Sequence, residues 1–119
     1  MREGGQPDKP AILVLSCADG PVERAVLAGI EEEGVPAVVE RPRRPVAAPE
    51  LAVAAAGRSS LSVGVGIDAD GGVCVQHDKL PAPLPELVST GPADAAVARV
   101  LGHDAARIVV GIPLLGLPR

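Results

Sequence analysis

The residues best suited to chemistry are three adjacent carboxylates, Glu31, Glu32 and Glu33, in the string Gly29-Ile30-Glu31-Glu32-Glu33-Gly34-Val35-Pro36. Clustered carboxylate oxygens suit hard divalent cations such as Mg²⁺ or Ca²⁺. The string reads as the last turn of a helix, a glycine stop and the start of a strand. That is a poor place for anions. The C-terminal end of a helix carries partial negative charge, which disfavours each carboxylate by ~0.3 kcal/mol or more. Glutamate forms helices well, so the run is tolerated. Its position against the local field points to something that wants it there, either a metal ion or a basic partner. A solvated helix end is the plainer alternative.

Other chemistry is thin. His77 and His103 are the two histidines, and Cys17 and Cys74 the two cysteines. No CxxC pair or Cys/His cluster offers a structural zinc site. Two reduced, buried thiols are expected. Neither Ser16 nor Cys17 lies in a nucleophile elbow, and no HExxH, P-loop or kinase signature occurs. Gly64-x-Gly66-x-x-Ala69 fits a loose dinucleotide fingerprint, but its glycines fall inside a strand and a hairpin follows. Asp68-x-Asp70-Gly71 resembles the opening of a calcium loop. Lys79 stands where the closing glutamate should be, so turn chemistry explains the aspartates. Arg41, Arg43 and Arg44, separated by Pro42 and bounded by Pro45, read as a solvated loop.

The elements that must position these residues follow from pattern. Ala11–Ser16 is a continuous apolar run, suited to a central strand buried on both faces. Asp19-Gly20-Pro21 makes a turn, with Pro21 placed to begin a helix. Val22, Val26, Leu27 and Ile30 recur at helical spacing up to Gly34. Val35–Glu40 is a second strand, which completes a parallel βαβ unit. Pro49–Gly57 reads as an alanine-rich helix and Leu61–Ile67 as a third strand. Gly64 and Gly66 leave one face of that strand bare, open to close approach. Asp70-Gly71-Gly72 signals a hairpin, with Val73–His77 returning antiparallel. Leu80–Leu87 is proline-rich and extended. Pro92–Leu101 reads as a helix punctuated by Gly102. Asp104 is then placed to cap a second helical stretch, with a strand at Ile108–Val110 as the competing reading. The result is an α/β domain over 11–119 with a mixed sheet of four to five strands, preceded by a disordered tail over 1–10.

Composition narrows the function classes. The chain has 119 residues, a net charge of −4 and no Phe, Tyr or Trp. Its core must be aliphatic, and it lacks the aromatic platforms used for single-stranded nucleic acid, cation–π or sugar recognition. Neither nucleic acid nor anionic membrane suits an acidic chain. No apolar run approaches the ~18 residues of a membrane span, and no signal peptide is evident. A soluble cytoplasmic protein is expected.

Four segments occur together: LAGIEEEGVPAVV (27–39), SSLSVGVGID (59–68), VQHDKLPAPLPEL (75–87) and HDAARIVVGIPL (103–114). In this order the chain resembles, from about Ala11 onward, the small subunit of the diol/glycerol dehydratase reactivating factor. That family is related to the medium subunit of the cobalamin-dependent dehydratases. The GIEEEGVP string and the AAR-x-V-x-GIP tail are its most specific parts. The resemblance implies a three-layer α/β/α sandwich with a mostly parallel sheet. It implies a non-catalytic subunit that pairs with a large actin-like ATPase subunit, as a two-plus-two heterotetramer. Such a complex would act as a chaperone. It would release damaged cobalamin from inactivated dehydratase, with the small subunit exchanging for a dehydratase subunit. ATP or ADP would sit on the partner.

The resemblance further implies that one glutamate of the triple run reaches a Mg²⁺ or Ca²⁺ ion at the large-subunit interface. Alignment of GIEEEGVP selects Glu32, with Glu31 and Glu33 as alternatives. The chain departs from the family in lacking aromatics in the strand and proline-rich segments, where Leu84 precedes Pro85. Localisation would be cytoplasmic or in a bacterial microcompartment, and the isolated chain would be prone to self-association. The alternative reading is a medium-subunit domain of the dehydratase itself, which is considerably longer at its N-terminus. A stand-alone anion- or metal-binding module ranks third, and a small hydrolase using Cys17 or His77 last.

Overall fold

The apolar run at the start forms strand β1, Ile12–Ser16, and all five of its residues are buried. The architecture is that of a computed structural model, which describes residues 9–117. Helix α1, Pro21–Glu32, follows with Pro21 in its first turn. Next come strand β2, Ala37–Glu40, and helix α2, Ala48–Arg58. Strand β3, Val63–Ile67, turns into β4, Val73–His77. A short 3₁₀ turn at Pro85–Leu87 precedes helix α3, Ala95–Val110.

The four strands lie in the order β2-β1-β3-β4. β1 pairs in parallel with β2 (Ile12 opposite Ala37) and with β3 (Leu13 opposite Gly64). β4 runs antiparallel to β3. The chain steps from β1 to β2, then crosses back past β1 to β3. Right-handed crossovers in opposite directions must lie on opposite faces of the sheet. Accordingly α1 and α3 pack together on one face and α2 covers the other, which makes the expected three-layer α/β/α sandwich. The sheet has four strands, the lower of the two numbers expected.

Alternation along β1 divides the core. Ile12 and Val14 join Val26, Ile30, Val63, Val65, Ile67 and Leu101 under α1 and α3. Leu13 and Leu15 face Leu51 and Ala55 of α2. The bare face of β3 is where α2 settles. A Cβ on Gly64 would lie 2.2 Å from the Ala56 nitrogen, and one on Gly66 2.2 Å from the Ala48 carbonyl oxygen. Alanines on the helix and glycines on the strand replace the aromatic filler this chain lacks.

Two expectations are corrected. The chain does not break at Gly102, and Asp104 caps nothing. One helix of 16 residues runs from Ala95 to Val110, capped by Asp94, whose carboxylate accepts from the Val97 N–H at 2.8 Å. The competing strand at Ile108–Val110 is therefore helical. Gly102 is present for contact: a Cβ there would lie 2.1 Å from the Val26 carbonyl oxygen. Of the expected tail over 1–10, residues 1–8 lie outside the described residues, and Lys9 and Pro10 are exposed.

Candidate functional site

Helix α1 ends where its glycine says it should. Gly34 adopts φ +78°, a left-handed conformation that costs glycine little, and its N–H bonds the Glu31 carbonyl at 2.8 Å. Glu31 and Glu32 are thus the last helical residues, and Glu33 is the cap. All three project from the negative end of the helix.

The positive charge that offsets them comes from α3. Arg99, His103 and Arg107 are spaced by four, so they share one face of that helix. Arg99 grips Glu32 with two nitrogens, Nε donating to Oε1 at 2.9 Å and Nη2 bonding Oε2. His103 lies between the two carboxylates. Its Nε2 is 2.7 Å from Glu32 Oε1 and its Nδ1 is 2.7 Å from Glu33 Oε2. One imidazole ring thus bridges the two carboxylates. Arg107 Nε donates to Glu33 Oε2 at 2.8 Å, and its Nη1 to the Pro113 carbonyl at 3.0 Å. Hydrogen bonds from His103 and then Arg107 hold the Glu33 carboxyl below the usual carboxylate range. Among the described residues, Glu31 is exposed and its carboxylate makes no hydrogen bond or ion pair.

The two helices can share charges because they nearly touch. Gly29 of α1 faces the Arg99 carbonyl, where a Cβ would be 2.2 Å away, and Gly102 faces the Val26 carbonyl. The glycines thus bring α3 close enough for Arg99, His103 and Arg107 to reach the end of α1. Buried Asp104 fixes the chain beyond α3. Its carboxylate accepts from the N–H groups of Leu115 at 2.6 Å and Gly116 at 3.1 Å. Arg107 therefore connects the triple-glutamate string to the GIP tail.

Sequence reasoning found the glutamates and missed their basic partners. The signal was Arg99-x-x-x-His103-x-x-x-Arg107, invisible once Gly102 was read as a stop. It also missed the partner of Arg41. That residue is exposed in the loop after β2, as expected, yet its guanidinium is paired: it donates to Glu23 Oε1 at 2.5 Å and Oε2 at 3.2 Å, and to the Ser16 carbonyl at 3.4 Å. Burial alone would push Glu23 up, but hydrogen bonds from Arg41 and Ser16 and the charge of Arg41 bring its carboxyl below the ordinary range. This pair ties the start of α1 to the end of β2.

The remaining candidates do not converge. Cys74 is buried with its thiol pushed up to about 11 by burial, while Cys17 is half-buried, short of the full burial expected; both are free. His77 Nδ1 accepts from the Lys79 N–H at 3.0 Å, closing the end of β4. Asp68 Oδ1 accepts from the N–H groups of Asp70 and Gly72, which is turn chemistry as expected. Among the described residues, no three His, Cys, Asp or Glu side chains are grouped to hold a metal ion, and no helix is long and apolar enough to cross a membrane.

Comparison with known proteins defines the class. Residues 9–115 match the family model of the dehydratase medium subunit. The propanediol dehydratase-reactivating factor small subunit of Citrobacter freundii is 40% identical over 108 residues, covering 87% of this chain and 89% of that protein. The diol dehydratase-reactivating factor small subunit of Klebsiella michiganensis is 39% identical, covering 90% and 83%. Among solved structures, a glycerol dehydratase reactivase superposes with a TM-score of 0.80 at 29% identity, covering 89% of this chain and 96% of that one. A diol dehydratase-reactivating factor complexed with ADP and Mg²⁺ gives 0.75 at 34%, covering 90% and 98%. The chain belongs to the dehydratase medium-subunit family, among its diol/glycerol dehydratase-reactivating-factor small subunits.

Proposed function

We propose that this chain is the non-catalytic subunit of a reactivase, pairing with a large ATPase subunit to release damaged cobalamin from inactivated diol or glycerol dehydratase. The observation that carries the reading is likeness over nearly the whole chain, in sequence and fold together, to small subunits of reactivating factors. Release works by exchange: the chain belongs to the same family as the dehydratase medium subunit and takes its place, which opens the cobalamin cavity. ATP or ADP belongs to the large subunit.

Glu32 is the carboxylate proposed to reach a Mg²⁺ or Ca²⁺ ion shared with that subunit. The donor suits the ion, because hard cations take carboxylate oxygens. The position suits it too. The Glu32 side chain is 36% exposed and already carries a guanidinium, a positive charge in the place where the ion would bind. Glu33 is 14% exposed, less than half as open as Glu32, which makes it the poorest of the three. Glu31 is the alternative. A single carboxylate is no complete site, so the other ligands would come from the partner. A ligand lent in trans would link cation binding to subunit affinity.

The test is co-expression with a reactivase large subunit, followed by incubation with glycerol-inactivated dehydratase, ATP, Mg²⁺ and fresh adenosylcobalamin. Recovery of activity only when both subunits are present supports the reading. Equal recovery with the large subunit alone refutes it.

A further inference from the structure

The two halves of the ion cluster differ in how firmly they are held. Glu33, His103 and Arg107 form the inner half, with side chains 14%, 20% and 25% exposed. Two donors converge on one oxygen of Glu33, and Arg107 is further anchored by the Pro113 carbonyl. Arg99 and Glu32 form the outer half, 54% and 36% exposed, with His103 Nε2 also on Glu32 Oε1 at 2.7 Å. Arg99 makes no other side-chain hydrogen bond among the described residues. An exposed arginine on a long side chain is an exchangeable partner, because solvent screens the pair and ordering the side chain opposes it. It nevertheless occupies both oxygens of Glu32.

We infer that Arg99 is an internal latch, a cation that occupies Glu32 in the free subunit and must leave when the partner's divalent ion arrives. This rests on the proposed role of Glu32. The latch has two effects. It keeps the carboxylate from capturing stray cations before assembly. It also lowers the apparent affinity of the assembled interface by the strength of the Arg99–Glu32 pair, since that pair must be broken first. The inner trio stays in place throughout, with His103 still on Glu32 Oε1, so the oxygen that Arg99 vacates for the ion is Oε2. Arg99 is therefore an affinity-setting residue, and Arg107 a positioning one.

The experiment is isothermal titration of the chain into a purified reactivase large subunit, with Mg²⁺ and with chelator. The wild type is compared with Arg99→Ala, Arg99→Gln, Glu32→Gln and the double variant Arg99→Ala/Glu32→Gln. Removing an exposed competitor should tighten binding in Mg²⁺ by about two- to fivefold in both Arg99 variants. The gain should vanish with chelator and in the Glu32→Gln background. If Glu32→Gln weakens Mg²⁺-dependent binding while the Arg99 variants bind equally or more weakly than wild type, the latch is refuted and the ligand role stands. If Glu32→Gln has no effect, the ligand role and the latch fall together.

Discussion

Replacing Gly102 with alanine tests the contact that brings the two helices together. Two effects oppose each other. Alanine is the better helix former, by ~1 kcal/mol relative to glycine in a helix interior. Against this, the new Cβ would stand 2.1 Å from the Val26 carbonyl oxygen, with the carbonyl carbon at 3.0 Å. Close carbon–oxygen contacts begin near ~3.3 Å, so α3 would have to withdraw by about 1 Å. Overpacking costs ~1–3 kcal/mol, and a clash with backbone, which has no rotamer to escape into, belongs at the upper end. The net loss is then ~2 kcal/mol. Unfolding entropy of ~2.1 cal/mol/K per residue over 119 residues converts that to a fall in Tm of about 8 °C. Thermal and urea unfolding followed by circular dichroism give the answer. Withdrawal would also stretch the bonds from Arg99, His103 and Arg107 to the glutamates, so any partner binding that uses Glu32 should weaken in parallel. If Gly102→Ala instead raised Tm, helix propensity would have won. The close α1–α3 approach, and the reason given for the cluster, would be wrong.

Other consequences are more local. The Glu33 carboxyl titrates below its unfolded value near 4.5, so its contribution to stability is present above that pH and lost as pH falls through the folded value. Wild type should therefore exceed Glu33→Gln in urea midpoint at pH 7, and the gap should narrow as pH falls below about 4.5; a gap that stays constant or widens on acidification would contradict this. Asp104→Ala leaves the Leu115 and Gly116 N–H groups without their carboxylate, which should cost ~1–3 kcal/mol and speed hydrogen exchange at those two amides. Unchanged exchange would show that Asp104 does not hold the tail. Iodoacetamide at pH 8 should label Cys17 well before Cys74, whose thiol is buried and pushed up to about 11, and mass spectrometry of the folded protein would show the order.

Much of this molecule was legible because its elements obey local rules. The run through Ile12–Ser16, Pro21 at the head of α1, Gly34 at its end and the Asp70-Gly71-Gly72 turn each specify a backbone conformation by themselves. Gly64 and Gly66 announced a close neighbour, and α2 is that neighbour. What stayed hidden depends on contacts between distant segments. Gly102 reads as a break because glycine disfavours helix, yet the space it leaves for Val26 outweighs that preference. Once the helix was divided, the four-residue spacing of Arg99, His103 and Arg107 lost its meaning. The basic partner expected for the glutamates then had to be sought in another molecule. The pairing of Arg41 was hidden for a similar reason: Glu23, its counter-charge, lies 18 residues earlier, across a strand. The glutamates at the wrong end of a helix were a true signal with two answers. One answer, the basic face of α3, lies within the chain; the other, a shared cation, is proposed.

The measurement that bears most directly on the central claim is the mass of the chain co-purified with a reactivase large subunit, by size exclusion with light scattering, alongside recovery of inactivated dehydratase. A two-plus-two complex that restores activity with ATP and adenosylcobalamin is expected. A chain that elutes alone beside every dehydratase-reactivating partner, with no recovery of activity, would contradict it.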